Sequence, residues 1–241
     1  MEEIESSRLN LEIVFQDEHY VAINKPNGLL VHKTKIAEEK KEFALQMLRD
    51  QIGQYVHTVH RIDRPTSGVL LFALSKDAQS AARLLFDEKK MSKKYWLLVR
   101  GYMDKEQIID HPLQKLDSGK AKIQEAITHY STLTNVEMPF SVSRYPTSRY
   151  SLVEAIPITG RMHQIRRHFA HLRHYIIGDK RHGDCKHNRY FNDFLNLDKL
   201  FLHSKQLSFT HPFTKKELVI KAPLPKHWQT LFDLFGWEVD D

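Results

Sequence analysis

The sequence has a single cysteine, Cys185, and no hydrophobic run long enough to cross a membrane. One cysteine cannot form a disulfide within the chain, so a reducing compartment is its natural environment. A membrane-spanning helix needs about 20 consecutive apolar residues. The first residues, Met1-Glu2-Glu3-Ile4-Glu5, are acidic where a secretory signal would be basic and then apolar. These absences predict a cytoplasmic protein with no membrane partner.

Glycine-rich phosphate loops and recognisable metal motifs are missing as well. No stretch has the glycine pattern that cradles a nucleotide, so an NTP or dinucleotide cofactor is not expected. Histidines recur every three residues at His168, His171 and His174, and a second group of possible metal ligands lies close together at His182, Cys185 and His187. A transition-metal site also needs a carboxylate or thiolate partner, which the sequence does not specify, and the basic surroundings would repel a cation. We therefore expect neither a cofactor nor a bound metal.

The chain is rich in positive charge and in histidine. Its formal net charge is +6, and 15 of the 241 residues are histidines. A basic surface attracts polyphosphates, although charge alone does not prove that a protein binds nucleic acid. No repeat or change in composition divides the chain. We expect residues 1–10 to be a loose lead-in and residues 11–241 to form a single domain.

The stretch His60-Arg61-Ile62-Asp63-Arg64-Pro65-Thr66-Ser67-Gly68 places one carboxylate between two arginines. Its proline, hydroxyls and glycine predict a tight loop, and the apolar run of residues 69–74 predicts a buried strand directly after it. A loop attached to a buried strand is a rigid support for a reactive group. The simpler alternative is a solvated loop with a surface ion pair, which contributes little to stability.

Strand-like runs and amphipathic stretches alternate along the chain. Antiparallel hairpins are predicted within three ranges, 11–24, 127–156 and 201–221. Helical periodicity appears in four ranges, 42–52, 76–90, 191–200 and 224–235. Hairpins mixed with helices predict an α+β fold, in which helices flank a mixed and largely antiparallel sheet.

The segment from Met162 to Arg173 has a further, informative helical pattern. Four apolar residues share one face and are expected in the core, namely Met162, Ile165, Phe169 and Leu172. One step around the helix, His163, Arg166 and Arg173 form a basic stripe. Stacked like charges repel one another, so this stripe makes better physical sense facing an anion. A solvated helix face is the alternative.

Three separate segments carry distinctive residues in a fixed order, namely residues 60–68, Lys93-Lys94-Tyr95 and Gly160-Arg161-Met162-His163-Gln164-Ile165-Arg166. Together they resemble the motifs of the pseudouridine synthases of the large-subunit type, which usually have Leu where this chain has Ile62. The resemblance extends from about Leu11 to Trp237. It implies the pseudouridine synthase fold, with a central basic cleft that binds RNA.

The resemblance also implies a reaction that needs no cofactor. Such enzymes detach the base of a uridine from its ribose, turn the base and rejoin it through carbon. By resemblance Asp63 is the essential carboxylate, which attacks either the ribose or the base. Arg166 matches a basic partner that favours the ionised carboxylate. Tyr95 matches an aromatic residue that stacks on the uracil and can relay a proton.

The target base must leave its stack before it can reach these residues. Arg61 matches the family residue that fills the gap, and its planar guanidinium suits stacking better than a lysine would. Other basic and hydroxyl side chains near the motifs are expected to contact RNA. The expected RNA-binding set is His60, Arg61, Arg64, Thr66, Arg161, His163 and Arg173.

The aromatic and basic stretch from Glu137 to Tyr150 resembles a branch of the family that modifies tRNA in its acceptor and T-stem region, at position 65 of the tRNA. Ile176-Ile177-Gly178-Asp179 and His182-Gly183-Asp184 are similar to the same branch. A tRNA substrate and a monomeric enzyme are therefore the expectation. Ribosomal RNA is the alternative substrate within the family.

Two other functional classes remain to be weighed against the isomerase. A non-catalytic RNA-binding domain that kept the fold is expected to have lost Asp63 or Tyr95, and both are present. A metal-dependent nuclease needs several carboxylates around one site. Asp63, Asp179 and Asp184 could supply them only through an arrangement that no pattern indicates. Activity that survives EDTA would separate the isomerase from the nuclease.

Overall fold

The computed structural model describes residues 10–32, 43–116 and 122–238. Nearly all of the predicted lead-in at residues 1–10 lies outside these ranges. The first hairpin is confirmed, because β1 (Ile13–Gln16) pairs antiparallel with β2 (Tyr20–Lys25). Helix α1 (Ala44–Ile52) follows and ends at Gly53, whose φ of 64° is the left-handed conformation typical of a helix stop.

The segment around the central loop forms a short strand, a long strand and a helix. Strand β3 (His57–Thr58) precedes the loop and β4 (Ser67–Ala73) follows it, with every residue of β4 buried. Helix α2 (Lys76–Asp87) starts where predicted, because the Ser75 side chain accepts a hydrogen bond from the Ala78 amide at 3.1 Å. Strand β5 (Ser92–Arg100) carries the second motif.

The middle of the chain consists of strands. They are β6 (Glu106–Asp110), β7 (Leu113–Gln114), β8 (Ile123–Gln124), β9 (Ile127–Met138) and β10 (Ser148–Pro157). The long hairpin of β9 and β10 confirms the two strands predicted there. Strands β7 and β8 form a separate two-stranded ladder.

The last third returns to alternating helices and strands. Its elements are α3 (Gln164–His171), α4 (Cys185–Leu195), β11 (Leu202–Thr210), β12 (Glu217–Lys221) and α5 (Lys226–Phe235). The predicted helix at 191–200 was placed too late, because Asp184 caps α4 by accepting the amides of Lys186 and His187. The hairpin of β11 and β12 and the final helix are confirmed.

Helix α3 is shorter than the predicted segment from Met162 to Arg173. His163 and Arg173 have left-handed φ values of 55° and 60°, which place both residues outside the helix. Met162 therefore precedes the helix and is 37% exposed, so its prediction as a core residue was wrong. Ile165 and Phe169 are buried, as the helical spacing predicted.

One mixed sheet connects these elements. Its strand order is β1-β2-β4-β11-β5-β10-β9-β6, with β12 added to β11 and β3 added to β4. Among the strand pairs of the described ranges, only β4 and β11 run parallel. The largely antiparallel α+β architecture predicted from the hairpins is therefore confirmed. No described helix is long and apolar enough to span a bilayer.

Helices cover both faces of the sheet, which explains why β4 and β5 are apolar at successive positions. In β4, Val69 and Leu71 pack in a core cluster with α2, whereas Leu70 and Phe72 pack in a cluster with α1. In the same way β5 divides its side chains between α3 on one face and α4 with α5 on the other. This packing fixes the strands whose ends and loops carry the three motifs.

Candidate active site

The loop between β3 and β4 holds Asp63 in a fixed position. The Thr66 amide donates to the Asp63 carbonyl at 3.0 Å and closes a turn. Beneath the loop, the fully buried Lys25 ammonium donates to three backbone carbonyls at 2.9 to 3.1 Å. These carbonyls belong to Pro26, Leu29 and Arg64. Burial lowers the pKa of Lys25 to about 7, and the nearby Asp63 carboxylate opposes that shift.

The far end of the loop is anchored to β11. The Ser67 hydroxyl lies 2.9 Å from Nδ1 of His203, and Nε2 of His203 lies 3.2 Å from the Ala222 carbonyl. Since a carbonyl can only accept, Nε2 carries the proton and Nδ1 accepts from Ser67. Burial lowers the pKa of His203 to about 4, which keeps this imidazole neutral.

Arg166 joins two carboxylates that are far apart in the sequence. Its Nη1 donates to Oδ2 of Asp63 at 2.9 Å, while its Nε and Nη2 donate to the two oxygens of Asp179 at 2.8 and 2.7 Å. The Arg166 side chain is 5% exposed and that of Asp179 is 1% exposed, whereas Asp63 is 24% exposed. The arginine is thus held by a buried carboxylate and presented to one that solvent or a ligand can reach.

The pKa shifts of this cluster follow from burial and from pairing. Burial by itself disfavours the charge on Arg166, but its hydrogen bonds to Asp179 and Asp63 outweigh that effect and raise its pKa. Burial likewise opposes the charge on Asp179, and the Arg166 guanidinium more than compensates and lowers the pKa of that carboxyl. Both partners therefore stay charged around neutral pH.

Two histidines adjoin the same carboxylate. Nε2 of His163 lies 3.8 Å from Oδ2 of Asp63, and Nδ1 of His163 lies 2.9 Å from Nε2 of His182. Burial, together with the charge of Arg166, lowers the pKa of His163 to about 4 against the opposing effect of Asp63. His163 is neutral at physiological pH, so it contributes hydrogen-bonding groups to the site and no positive charge.

Tyr95 lies near the start of β5, opposite Ser204 of β11. The residue is 8% exposed. Burial raises the pKa of Tyr95 to about 12, while a hydrogen bond from the Ser204 side chain partly offsets the rise. The phenol is therefore protonated at neutral pH and is linked to a second hydroxyl, an arrangement that can pass a proton along.

A cavity of about 510 Å³ brings the three motifs together. Its walls include Asp63 and Arg61 from the first motif, Lys93 and Tyr95 from the second, and Arg166 from the third. A second cavity of about 320 Å³ adjoins it and shares Arg61, Asp63 and Arg166. The volume of the first falls within the range of pockets that hold a drug-sized ligand and is sufficient for one nucleotide.

Three of the predicted RNA-binding arginines reach these cavities. Arg61 is exposed and lines both of them, while Arg64 lines the smaller one and donates to the Gly28 carbonyl at 2.9 Å. Arg161 lines the larger cavity, with its Nε donating to the Glu125 carbonyl at 2.9 Å. Each keeps guanidinium nitrogens available for phosphate or base contacts.

Thr66 and His60 both line the larger cavity but differ in their hydrogen bonding. The Thr66 hydroxyl oxygen is buried and has no hydrogen-bond partner among the described residues. In contrast, Nε2 of His60 accepts the Leu71 amide at 3.0 Å, and burial lowers the pKa of His60 to about 3. His60 is therefore neutral and its ring supports β4, so a contact with RNA, which stays a prediction, would not involve a positive charge.

Arg173 is separated from the other residues of the predicted basic stripe. It lies beyond the far end of α3, is exposed and does not line either cavity. An eight-residue helix is about 12 Å long, so Arg173 and His163 stand at opposite ends of that distance. The stripe was predicted from ideal helix geometry, and the left-handed residues at 163 and 173 end that geometry.

Sequence reasoning missed three residues of the site. Asp179 and His182 were placed in stretches similar to one branch of the family. Beyond that, Asp179 was considered only as a carboxylate of a nuclease and His182 only as a possible metal ligand, while Lys93 was considered only as a motif position. Within the described part of the chain no group of three or more His, Cys, Asp or Glu side chains could hold a metal ion. The available signal was the run from Gly178 to Asp184, where a tight turn carries charged side chains.

Comparison with known proteins identifies the family. Residues 19–171 match the family model for RNA pseudouridylate synthase. The chain belongs to the RNA pseudouridylate synthase family. It is accordingly an isomerase that acts on uridine in RNA.

Several relatives within the family match almost the whole chain. The tRNA pseudouridine synthase C of Vibrio parahaemolyticus is 48% identical, with 95% of this chain and 97% of the relative covered. The enzyme of the same name from Haemophilus influenzae is 47% identical, covering 95% and 99%. Among solved structures, human RNA pseudouridylate synthase domain containing 4 has a TM-score of 0.71 at 26% identity and covers 95% of both chains. The pseudouridine synthase fold implied by the motifs is confirmed.

Proposed function

We propose that this pseudouridine synthase converts one specific uridine of tRNA into pseudouridine, with Asp63 as the nucleophile. The observation that carries the proposal is the partly exposed Asp63 carboxylate, bonded to Arg166 and facing the cavity that Tyr95 also lines. This arrangement is sufficient to place a nucleophile, a cation and an aromatic ring around one base.

The reaction is an isomerisation in which atoms and electrons balance. The bond between ribose C1′ and base N1 breaks, the uracil turns, and a new bond joins C5 to C1′. The hydrogen on C5 leaves as a proton and N1 gains one. Asp63 can assist by attacking C1′ and releasing the base, or by adding to the base itself, and in either case the carboxylate is released unchanged.

Arg166 and Tyr95 have complementary roles in this proposal. Arg166 bonds to one oxygen of Asp63 and leaves the other oxygen for attack, while Asp179 keeps the guanidinium in place. Tyr95 stacks on the uracil. Because its hydroxyl is protonated, it can accept a proton only while releasing its own, so it acts as a relay and not as a free base.

RNA enters from the side of the exposed arginines. Arg61 stands at the junction of both cavities and is placed to fill the gap left by a flipped base. The unpartnered hydroxyl of Thr66 offers the bound nucleotide a hydrogen bond, while Arg64 and Arg161 attract phosphates. Arg173 contacts RNA only if the substrate extends along α3.

The preference for tRNA follows from the relatives. Those that match nearly the whole chain are named tRNA pseudouridine synthase C. We propose a uridine in the acceptor and T-stem region, at position 65, as the target. We also propose that residues 11–241 work as one catalytic domain and that the enzyme is a monomer, which measurement of its mass in solution would check.

Asp63→Asn tests the proposed nucleophile. The substitution conserves size and the hydrogen bond from Arg166 but removes the attacking charge, so pseudouridine formation should fall by at least about 10³-fold while tRNA affinity changes little. Asp110→Asn, in the exposed strand β6, is the matched control and should retain full activity. Normal turnover by Asp63→Asn would contradict the proposal.

The substrate is tested by mapping new pseudouridines after the purified enzyme is incubated with unmodified tRNA and with ribosomal RNA. We expect one modified position in the acceptor and T-stem region of tRNA. Modification of ribosomal RNA alone would reject the tRNA proposal and leave the isomerase assignment in place.

A further inference from the structure

His163 is held in an unusual conformation next to the proposed nucleophile. Its φ of 55° is in the left-handed region, which residues other than glycine seldom adopt outside constrained sites. It is the first residue before α3 and its side chain is 11% exposed. The backbone strain thus places an imidazole between the Asp63 carboxylate and the loop that carries His182.

Only one arrangement of protons on His163 and His182 gives favourable contacts to both neighbours of His163. Nδ1 of His163 and Nε2 of His182 are 2.9 Å apart, so one of them donates to the other. If Nδ1 of His163 donated, its Nε2 lone pair would face the negative Oδ2 of Asp63 at 3.8 Å. If His182 donates instead, Nε2 of His163 carries the proton and points an N–H at the carboxylate.

Burial, with help from nearby arginines, keeps the pair neutral. Asp63 faces His163 and favours its protonation, as Asp179 does for His182. Burial opposes protonation of both rings, and Arg166 and Arg181 add to that effect on each of them, as does Arg167 on His182. Their pKa values are lowered as a result. Each ring therefore has one N–H at physiological pH. The N–H of His182 points at Nδ1 of His163, and the N–H of His163 points at Asp63.

We propose that His182 fixes the tautomer of His163, and that the resulting Nε2–H, together with Arg166, holds Oδ2 of Asp63 so that Oδ1 faces the substrate. Among the described residues, the side-chain contacts of Asp63 all fall on Oδ2. His163 and His182 are positioning residues here, since they act through Asp63. The proposal rests on the proposed function, in which Asp63 is the nucleophile.

The test compares two substitutions of His182 that differ in their ability to donate. Leu has a similar size but no N–H, whereas the Gln amide can donate to Nδ1 of His163. His182→Leu should lower the single-turnover rate of pseudouridine formation by about tenfold or more, with tRNA affinity within about twofold of the wild type. His182→Gln should recover most of that rate. His129→Leu, in the exposed part of β9, is the control and should not change the rate.

A second measurement reads the tautomer directly and does not depend on activity. In ¹⁵N-edited NMR of the imidazoles, His163 should carry its proton on Nε2 in the wild type and in His182→Gln, and should lose this single tautomer in His182→Leu. If His182→Leu does not fold, His163→Gln replaces it. Its amide nitrogen takes the place of Nε2, so the rate should be retained without help from His182.

Three results would overturn the proposal. These are an unchanged rate in His182→Leu, equal losses in His182→Leu and His182→Gln, or a proton on Nδ1 of His163 in the wild type. Its failure is distinguishable from that of the proposed function. If Asp63→Asn abolishes product while His182→Leu does not slow it, only the histidine pair is wrong. If Asp63→Asn remains active, the nucleophile itself is wrong.

Discussion

Arg166 shows why a single residue type is required at the centre of the site. Three of its nitrogens donate to two carboxylates. Two of these hydrogen bonds go to Asp179 and one goes to Asp63. A lysine ammonium lacks this planar fork and could not satisfy both partners in the same geometry. Breaking such a buried pair by removing one partner usually costs about 3–5 kcal/mol, because a charge is left uncompensated. Asp179 therefore supports both stability and the placement of Arg166.

Arg61→Ala should weaken tRNA binding without unfolding the enzyme. The side chain is exposed and lines both cavities, so its loss removes a stacking group of the RNA complex and little of the core. Base stacking on one side chain is worth about 1–3 kcal/mol, which predicts at least about a fivefold increase in Kd.

Affinity and melting temperature of Arg61→Ala are compared with those of Arg189→Ala. Arg189 is exposed on α4, which packs on the face of β5 opposite to α3. A large drop in melting temperature with unchanged RNA binding would show that Arg61 supports the fold and not the complex.

Lys25 should make stability depend on pH. Its pKa is about 7 when folded and about 10.5 when unfolded, so between these values the unfolded chain binds more protons. The free energy of unfolding therefore rises with pH in that window, by up to about 1.4 kcal/mol per unit, and the cost is largest below pH 7. Urea titrations of wild type and Lys25→Met from pH 6 to 10 isolate this dependence. A pH-independent difference would mean that the three carbonyls keep Lys25 charged.

At the scale of elements, the close approach of β4 and β11 determines where the loop of Asp63 ends. Gly68 has a φ of 103°, and a Cβ at this position would lie 2.3 Å from the Ser204 carbonyl oxygen. The two strands are the parallel pair of the described sheet, with Gly68 opposite Ser204 in register. Because Ser204 is also paired with Tyr95, this contact sets the distance between the first two motifs.

Gly68→Ala should accordingly destabilise the protein and disturb the site. Both the left-handed φ and the backbone clash oppose a side chain, so we expect a loss of about 3 kcal/mol or more in the free energy of unfolding. Gly53→Ala is the control, since its φ of 64° is also positive but no atom lies within 4 Å of the added Cβ. That variant should lose only about 1–2 kcal/mol. Equal losses in chemical denaturation would contradict the role of the strand contact.

At the scale of the whole molecule, the sheet brings together residues that are far apart in the chain. Asp63 and Arg166 are 103 positions apart and share a hydrogen bond. Among the intervening strands, β10 pairs with both β5 and β9 over long registers, so the end of β10 and the start of α3 return to the central loop. The net charge of +6 adds a long-range attraction for RNA to this local geometry.

Catalysis should survive metal chelation. The proposed chemistry uses a carboxylate, a guanidinium and a phenol, and no metal is needed to activate water. We expect the rate on tRNA annealed beforehand in monovalent salt to change by less than about threefold when EDTA is added. A loss that Mg²⁺ restores, with unchanged tRNA binding in EDTA, would reject this mechanism in favour of a metal-dependent one.

Much of the fold was predictable, because alternation and turn residues are local properties. The start of α2, the ends of α1 and α5, and the hairpin of β11 and β12 were all located from neighbouring residues. The errors around α3 occurred where left-handed residues interrupt a regular pattern. Met162 and Arg173 were assigned to a continuous helix that the left-handed residues at 163 and 173 do not allow.

The sequence by itself determined the family, the reaction class and the three motifs, because residue identities at short spacing carry that information. It also determined that Asp63, Tyr95 and Arg166 were the candidates for catalysis. Only the tertiary structure decided which charges meet. It assigned Arg166 to Asp179 as well as Asp63, turned His60 toward β4, moved Arg173 away from the cavities and joined His163 to His182. Such contacts depend on strand order and burial, which bring distant residues within 3 Å and which no local pattern encodes.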